Sequence, residues 1–154
     1  KTTGCKADLN ALFPGGVVVV DDDLMVRTLT KGAIAARYSV TVEAHESAQK
    51  FLEAMFRHPH PDGAGTGADN SSIRQPLSTR PRSLILMDHM MPVMDGEQVL
   101  EHIPAGHPHL VVMMSGTHFT NEDRERICGK GVAAFFEKPL EWRSFDDVLN
   151  EIAR

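Results

Sequence analysis

The sequence has little of what several classes of protein require. Its only two cysteines, Cys5 and Cys128, fit no metal or disulfide spacing, so we expect free thiols in a reducing compartment. No apolar run is long enough to span a membrane, and the first ten residues lack the apolar region of a signal peptide. The net charge of −5 argues against a nucleic-acid-binding surface, and there is no glycine-rich loop for ATP. We therefore expect a cytoplasmic protein, or the cytoplasmic domain of a larger receptor, without nucleic-acid or membrane contacts.

What the sequence does contain is enough apolar material for one domain, at 42% of 154 residues. From Val17 onward, short apolar segments alternate five times with amphipathic ones. This alternation predicts an α/β fold, in which a doubly wound, five-stranded parallel sheet carries helices on both faces. We expect residues 1–16 to be a lead-in, either a linker or one extra helical turn, and residues 17–154 to be the domain.

Periodicity and breakers place the individual elements. The first amphipathic helix, over 23–37, has Val26, Leu29, Ala33 and Ala36 on one face. A short strand is predicted over 39–42, and the last helix is predicted to open at Ser144 and to turn Phe145, Val148, Leu149 and Ile152 inward. The remaining predictions are strands over 17–20, 84–87, 110–114 and 133–136 and helices over 46–56, 96–103 and 120–129.

Residues 57–82 interrupt the pattern, since they are rich in Pro, Gly, Ser and Asn and have no period. They predict a disordered insertion that enters the third strand at its amino end. Two His-x-His pairs, His58/His60 and His107/His109, precede the third and fourth strands. Solvated loop histidines are the simpler interpretation, and a zinc site is the alternative.

Polar side chains follow the apolar strands directly. Asp21 and Asp22 follow the first, Asp88 the third, Ser115 the fourth and Lys138 the fifth. The carboxyl ends of parallel strands share one edge of a sheet, so these groups should converge. Two carboxylates about 4 Å apart repel by about 4 kcal/mol at an effective dielectric of 20, which favours cation binding. The set therefore predicts a site for Mg²⁺ (or Mn²⁺) and a phosphoryl group, with a carboxylate that could become an acyl phosphate.

Each residue alone also has a simpler explanation. Asp23, after the first strand, fits a helix N-cap better than a metal ligand. Lys138 before proline could be a solvated loop residue, and Ser115 a turn residue. The occurrence of all of them in order, after four strands, favours the functional interpretation.

The segments VVVVDDD, LMDHMMPVMDG, VVMMSG and FFEKPL together resemble the response-regulator receiver domains of two-component signalling. The resemblance spans residues 17 to about 153 and implies a flavodoxin-like (βα)5 fold. It implies that Asp88 is the phosphoacceptor, that Asp22 binds Mg²⁺ directly, and that Asp21 does so mainly through water. The backbone carbonyl of Met90 would be a further metal ligand.

The same resemblance assigns a switch. Ser115 would hydrogen-bond the phosphoryl group and Lys138 would pair with it, with a cis peptide bond between Lys138 and Pro139. The family's switch aromatic corresponds to Phe135, for which core packing alone is the other interpretation. Phosphorylation would draw Ser115 inward and let Phe135 rotate in, as a two-state population shift. Met90 and Thr117 are expected to affect the lifetime of the acyl phosphate.

The resemblance also implies partners. A histidine kinase or a histidine phosphotransfer protein would dock over the Asp88 edge, along the first helix near Met25 and Val26. The start at Lys1 and the breaker-rich lead-in predict a receiver excised from a larger protein, and the end of the chain after the last helix favours a hybrid histidine kinase. We expect the receiver to be a monomer. A stand-alone regulator is the alternative.

Two other functions stay open at this point. Asp21-x-Asp23, Ser115 and Lys138 also resemble the first three motifs of phosphatases of the haloacid dehalogenase type. In such an enzyme Asp21 would be the nucleophile and Asp23 the general acid/base. The acidic pair Asp146-Asp147 counts against it, because it falls in an amphipathic helix rather than after a strand. A degenerate receiver acting only as a binding module is the third possibility, and such a module needs no intact acid, hydroxyl and lysine set.

Overall fold

A five-stranded sheet of parallel strands forms the centre of the protein. The computed structural model describes residues 8–56 and 81–154. The strands are β1 (Val17–Val20), β2 (Val42–His45), β3 (Leu84–Asp88), β4 (Leu110–Ser115) and β5 (Val132–Glu137). Their order across the sheet is β2-β1-β3-β4-β5, and all four neighbouring pairs are parallel. The predicted α/β class and five-stranded parallel sheet are confirmed.

Helices cover both faces of this sheet. They are α1 (Leu9–Leu12), α2 (Leu24–Tyr38), α3 (Ala48–Phe56), α4 (Gly96–His102), α5 (Asn121–Cys128) and α6 (Trp142–Ile152). One hydrophobic cluster joins the sheet to α1, α2 and α6, and the other joins it to α3, α4 and α5. The apolar run of β1 is buried along its whole length, as is β3, because both strands are covered on two sides.

The segment before β1 contributes to the core. Asp8 caps α1 by accepting hydrogen bonds from the backbone amides of Asn10 and Ala11. Leu9 and Phe13 are fully buried in the cluster beneath α2 and α6. The described end of the lead-in therefore forms a helical turn, one of the two predicted options. The domain boundary at residue 17 stays a prediction.

The predicted stripe of α2 is not the face that packs on the sheet. Leu29 is 66% exposed, whereas Ile34 and Tyr38 are buried. Contact with the sheet and α6 involves the face that carries Ile34 and Tyr38. The stripe with Leu29 instead borders a groove beside the loop that follows β5.

Three predicted starts are wrong by two residues or more, and the first is that of α3, which begins at Ala48 rather than at Glu46. The second strand was expected over 39–42, but α2 continues to Tyr38 and Ser39 ends it in a left-handed conformation, with φ 52°. The strand therefore begins at Val42. The last helix begins at Trp142 rather than at Ser144, although its inward side chains are placed as predicted, with Phe145 and Leu149 buried and Val148 and Ile152 partly buried.

Several predictions fall wholly or partly outside the described residues. These are the insertion, apart from residues 81 and 82, and the residues Cys5, His58 and His60. Cys128 is a free, exposed thiol. The rings of His107 and His109 are stacked with centroids 5.8 Å apart, and His109 Nδ1 accepts the Ser83 amide. Among the helices of the described residues, none is long and apolar enough to cross a membrane.

Candidate functional site

An ion-paired triad lies at the carboxyl edge of the sheet. Lys138, just after β5, places its Nζ 2.6 Å from Oδ2 of Asp21 and 2.8 Å from Oδ1 of Asp88. Asp21 follows β1 and Asp88 ends β3, so neighbouring strands present the two acids side by side. Both carboxylates are buried, and the Lys138 side chain is 17% exposed. The Lys138–Pro139 peptide bond is cis, as the family resemblance implied.

Three carboxylates meet at this point. Oxygen atoms of Asp21, Asp22 and Asp88 all lie within 4.8 Å of one another, and Asp22 is the exposed member. Hard carboxylate oxygens with an open side are the donors that Mg²⁺ prefers, since it keeps several waters. The residues present therefore fit the ion. The Met90 backbone amide donates to Asp88 Oδ1 over 3.3 Å, which puts the main chain of Met90 at the rim of the cluster.

Local hydrogen bonds hold the acidic loop in place. Asp21 Oδ1 accepts the backbone amide of Asp23 at 2.9 Å, and the guanidinium of Arg27 donates to the Asp21 carbonyl oxygen at 2.8 Å. Asp23 in turn caps α2 by accepting the amides of Met25 and Val26. Asp23 thus has the N-cap position that its place in the sequence predicted.

Burial and the contact with Lys138 act in opposite directions on the pKa of Asp88, the candidate acceptor. Burial raises the pKa of Asp88 to about 7, the negative charge of Asp21 adds to the rise, and the hydrogen bond from Lys138 opposes it. Burial alone would lower the pKa of Lys138, but its hydrogen bonds to Asp21 and Asp88 raise it above the usual value. The lysine stays charged and compensates part of the clustered negative charge, which leaves a demand for further cationic charge.

Ser115 lies at the same edge but its hydroxyl contacts Thr117. Ser115 is fully buried at the end of β4. Its Oγ accepts the Thr117 backbone amide at 3.1 Å and lies 3.0 Å from the Thr117 hydroxyl. The Lys138 amide donates to the Ser115 carbonyl oxygen at 2.8 Å, which ties the ends of β4 and β5 together. Sequence reasoning connected Thr117 only with the acyl-phosphate lifetime.

The proposed switch aromatic belongs to a row of rings. Phe135 packs edge-on against Phe119, with centroids 5.0 Å apart, and the Arg124 guanidinium lies 5.6 Å above its ring. Phe119 is buried and also contacts His89, the residue after Asp88, at a centroid distance of 5.4 Å. Sequence reasoning missed Phe119 and His89, because neither belongs to a periodic stripe or an acidic strand end.

An ion-pair hub joins α4 to α5 beside these rings. The Arg126 guanidinium contacts both oxygens of Glu97, at 2.6 and 3.2 Å, and Lys130 Nζ lies 3.2 Å from Oε1. His89 Nε2 is 3.7 Å from Oε2 of the same carboxylate. The hydrogen bond from Arg126 lowers the pKa of Glu97 to about 2. This hub could not be predicted from the sequence, because its charged residues lie far apart along the chain.

Comparison with known proteins supports the assignment that the motifs indicated. Residues 17–150 match the family model of the response regulator receiver domain. Among curated protein sequences, none matches this chain. A match over 17–150 covers most of the chain and therefore shows the family.

Solved structures show the same fold. The receiver domain of the histidine kinase CKI1 from Arabidopsis thaliana, complexed with Mg²⁺ and BeF3-, is 22% identical with a TM-score of 0.63, over 95% of this chain and 94% of that one. A receiver protein from Dyadobacter fermentans is 18% identical with a TM-score of 0.66, over 89% and 96%. The response regulator StyR is 24% identical with a TM-score of 0.57. The match covers 88% of this chain and 57% of the StyR chain. Together with the geometry of the acidic edge, the family match shows that the chain belongs to the response regulator receiver domain family.

Proposed function

We propose that this receiver domain accepts a phosphoryl group on Asp88 from a phosphohistidine donor, in a Mg²⁺-dependent reaction that relays a signal. The observation that carries the proposal is the buried triad in which Lys138 bridges Asp21 and Asp88, with Asp22 completing a cluster of carboxylates. Phosphoryl transfer needs positioned charge more than covalent chemistry from the protein, and this edge supplies it.

The transfer balances as a displacement at phosphorus. A carboxylate oxygen of Asp88 forms the new P–O bond, and the P–N bond to the donor imidazole breaks with its electron pair going to nitrogen. The product is an acyl phosphate. Lys138 holds a positive charge next to Asp88, and Ser115 would donate its hydroxyl proton to a phosphoryl oxygen. Mg²⁺, held by Asp21, Asp22, Asp88 and the Met90 carbonyl, would neutralise the charge of the incoming group.

Contacts favour Asp88 over Asp21 as the acceptor. Asp21 has both oxygens engaged, Oδ1 with the Asp23 amide and Oδ2 with Lys138. Lys138 and the Met90 amide both contact Asp88 through Oδ1, so we assign Oδ2 as the nucleophile. The phosphatase alternative needs a free Asp21 and an Asp23 that can exchange protons, whereas Asp23 caps α2. The geometry therefore does not favour that alternative.

An apolar surface flanks the acceptor. Five large apolar side chains are more than 60% exposed in the described residues: Leu24, Met25, Leu29, Met90 and Val93. They lie on α2 and on the loop after β3, beside the acidic edge. A groove of about 520 Å³ continues this surface between α2 and the loop after β5. We propose that the histidine kinase or histidine phosphotransfer protein docks here.

The output of the domain would begin at Ser115 and Phe135. Inward movement of Ser115 toward a phosphoryl group would shift the loop after β4, which carries Phe119. Because Phe135 packs on Phe119, its ring would have to move with that loop. A monomeric state, a cytoplasmic location and an origin in a hybrid kinase stay predictions.

The experiment is intact-mass measurement after incubation with acetyl phosphate, with Mg²⁺ or with EDTA. The parent chain should gain one phosphoryl group only with Mg²⁺, and Asp88→Asn, which keeps the side-chain shape, should gain none. Asp21→Asn is the matched comparison, since it removes a charge from the same cluster but leaves the acceptor. Phosphorylation that persists in Asp88→Asn and is lost in Asp21→Asn would favour the phosphatase. A parent chain that gains no phosphoryl group and binds no beryllofluoride would be a degenerate receiver.

A further inference from the structure

We propose that Thr117 is a positioning residue for the phosphoryl site, and that its hydroxyl donates to Ser115 so that the Ser115 proton points at the phosphoryl group. The inference rests on the proposed function, because it concerns how Ser115 meets a group on Asp88. The hydroxyl oxygens of the two residues, Thr117 Oγ1 and Ser115 Oγ, lie 3.0 Å apart, which is a hydrogen-bond distance.

The capacity of the Ser115 hydroxyl is limited. A serine hydroxyl has one proton to donate and two lone pairs to accept with. The Thr117 backbone amide always donates, so at 3.1 Å it fills one lone pair of Ser115 Oγ. What remains is one lone pair and one proton, and the Thr117 hydroxyl can engage either of them.

A phosphoryl group on Asp88 would determine which of the two hydroxyls donates to the other. Phosphoryl oxygens accept hydrogen bonds and donate none when ionised, so Ser115 can only donate to them. The Thr117 hydroxyl must then be the donor to Ser115, which fills the second lone pair. The resulting chain runs from Thr117 through Ser115 to the phosphoryl oxygen, and each bond polarises the next.

Burial makes this dependence specific to Thr117. Ser115 is fully buried, so solvent has poor access to its second lone pair. The Ser115 carbonyl oxygen accepts the Lys138 amide at 2.8 Å, which joins the end of β4 to the end of β5. Thr117 is exposed, so its own hydroxyl can exchange partners with water as it changes from acceptor to donor. The hydroxyl bond would thus favour the phosphoryl-bound state over the free state.

The test is calorimetric titration with beryllofluoride in the presence of Mg²⁺, since this ion mimics a phosphoryl group on a carboxylate. The chains compared are the parent, Thr117→Val, Thr117→Ser, Ser115→Ala and the double variant. Thr117→Val keeps the side-chain shape and the backbone amide but loses the hydroxyl. It should bind about 3- to 10-fold more weakly, the effect of one ordinary hydrogen bond. Thr117→Ser should restore binding.

The double variant separates positioning from a general effect. In a Ser115→Ala background, Thr117→Val should have no further effect, because there is no hydroxyl left to orient. Parent-like binding by Thr117→Val, or an equal loss in the Ser115→Ala background, would overturn the inference. Beryllofluoride that fails to bind the parent, or binds Asp88→Asn as tightly, would overturn the proposed function itself. Urea unfolding of Thr117→Val should remain one cooperative transition, which shows that the variant is folded under the conditions of the titration.

Discussion

Replacing Lys138 with methionine would remove the ammonium that bridges Asp21 and Asp88, while keeping most of the side-chain volume. At 2.6 and 2.8 Å and an effective dielectric of 20, each attraction amounts to about 6 kcal/mol before desolvation is subtracted. Breaking a buried ion pair costs about 3–5 kcal/mol net, and protonation of Asp88 would relieve part of it. We therefore expect Lys138→Met to lower the free energy of unfolding by about 3 kcal/mol in EDTA.

Mg²⁺ should reverse much of this loss, because the variant cluster has more uncompensated negative charge than the parent. At a concentration about 100 times its dissociation constant, a ligand of the native state stabilises it by about 2.7 kcal/mol. Urea unfolding monitored by circular dichroism, with EDTA and with Mg²⁺, measures both quantities. The variant should gain more from Mg²⁺ than the parent does.

Lys130→Met is the matched control. Lys130 is also ion-paired, to Glu97 and Glu101, but away from the acidic edge and with a side chain 31% exposed. Its loss should destabilise the chain far less than the loss of Lys138, with no dependence on Mg²⁺. The reasoning would be refuted if Lys138→Met were as stable as the parent in EDTA, or if Mg²⁺ stabilised both chains equally.

Three further changes probe the surroundings of the site by urea unfolding. Glu97→Gln should cost about 1 kcal/mol at pH 7, because surface ion-pair networks contribute on this scale. The pKa of Glu97 is about 2 in the folded chain against 4.5 for the free side chain. Its contribution to the free energy of unfolding is therefore complete above pH 4.5 and should disappear as the pH falls toward 2. A stability difference between parent and variant that persisted at pH 2 would contradict the hub. Val93 is 90% exposed with φ 70°, so Val93→Asn should stabilise the chain by about 1 kcal/mol, and a loss would show that the loop is unstrained. Tyr38→Phe removes the hydroxyl that donates to Asp146 and should cost about 1 kcal/mol, whereas no change would mean that water replaces it.

The sequence predicted the sheet and the acidic edge for the same reason. A strand buried on both sides needs a continuous apolar run, so a carboxylate directly after the run must lie at the carboxyl edge. Asp21 and Asp88 are placed this way, and Lys138 reaches both from the end of β5, the edge strand that lies beyond β4. The alternation of elements predicted a parallel sheet, and the strand order that brings the acids together is that of the flavodoxin-like fold that the resemblance implied.

Other features depend on contacts that no local pattern encodes. In α2 the apolar stripe with Leu29 lies largely outside the core, whereas Ile34 and Tyr38 are buried against the sheet. A strand cannot begin at residue 39, because Ser39 follows α2 in a left-handed conformation. Phe119 lies between the rings of His89 and Phe135 through tertiary packing alone.

The most direct test of the phosphoacceptor assignment is to locate the phosphoryl group chemically. After reaction with acetyl phosphate and Mg²⁺, borohydride reduces an aspartyl phosphate to homoserine and releases the phosphate, and peptide mass spectrometry then finds the altered residue. We predict homoserine at position 88 and unmodified acids at Asp21, Asp22 and Asp23. Homoserine at position 21, or at no position in a chain that has gained a phosphoryl group, would contradict the assignment of Asp88.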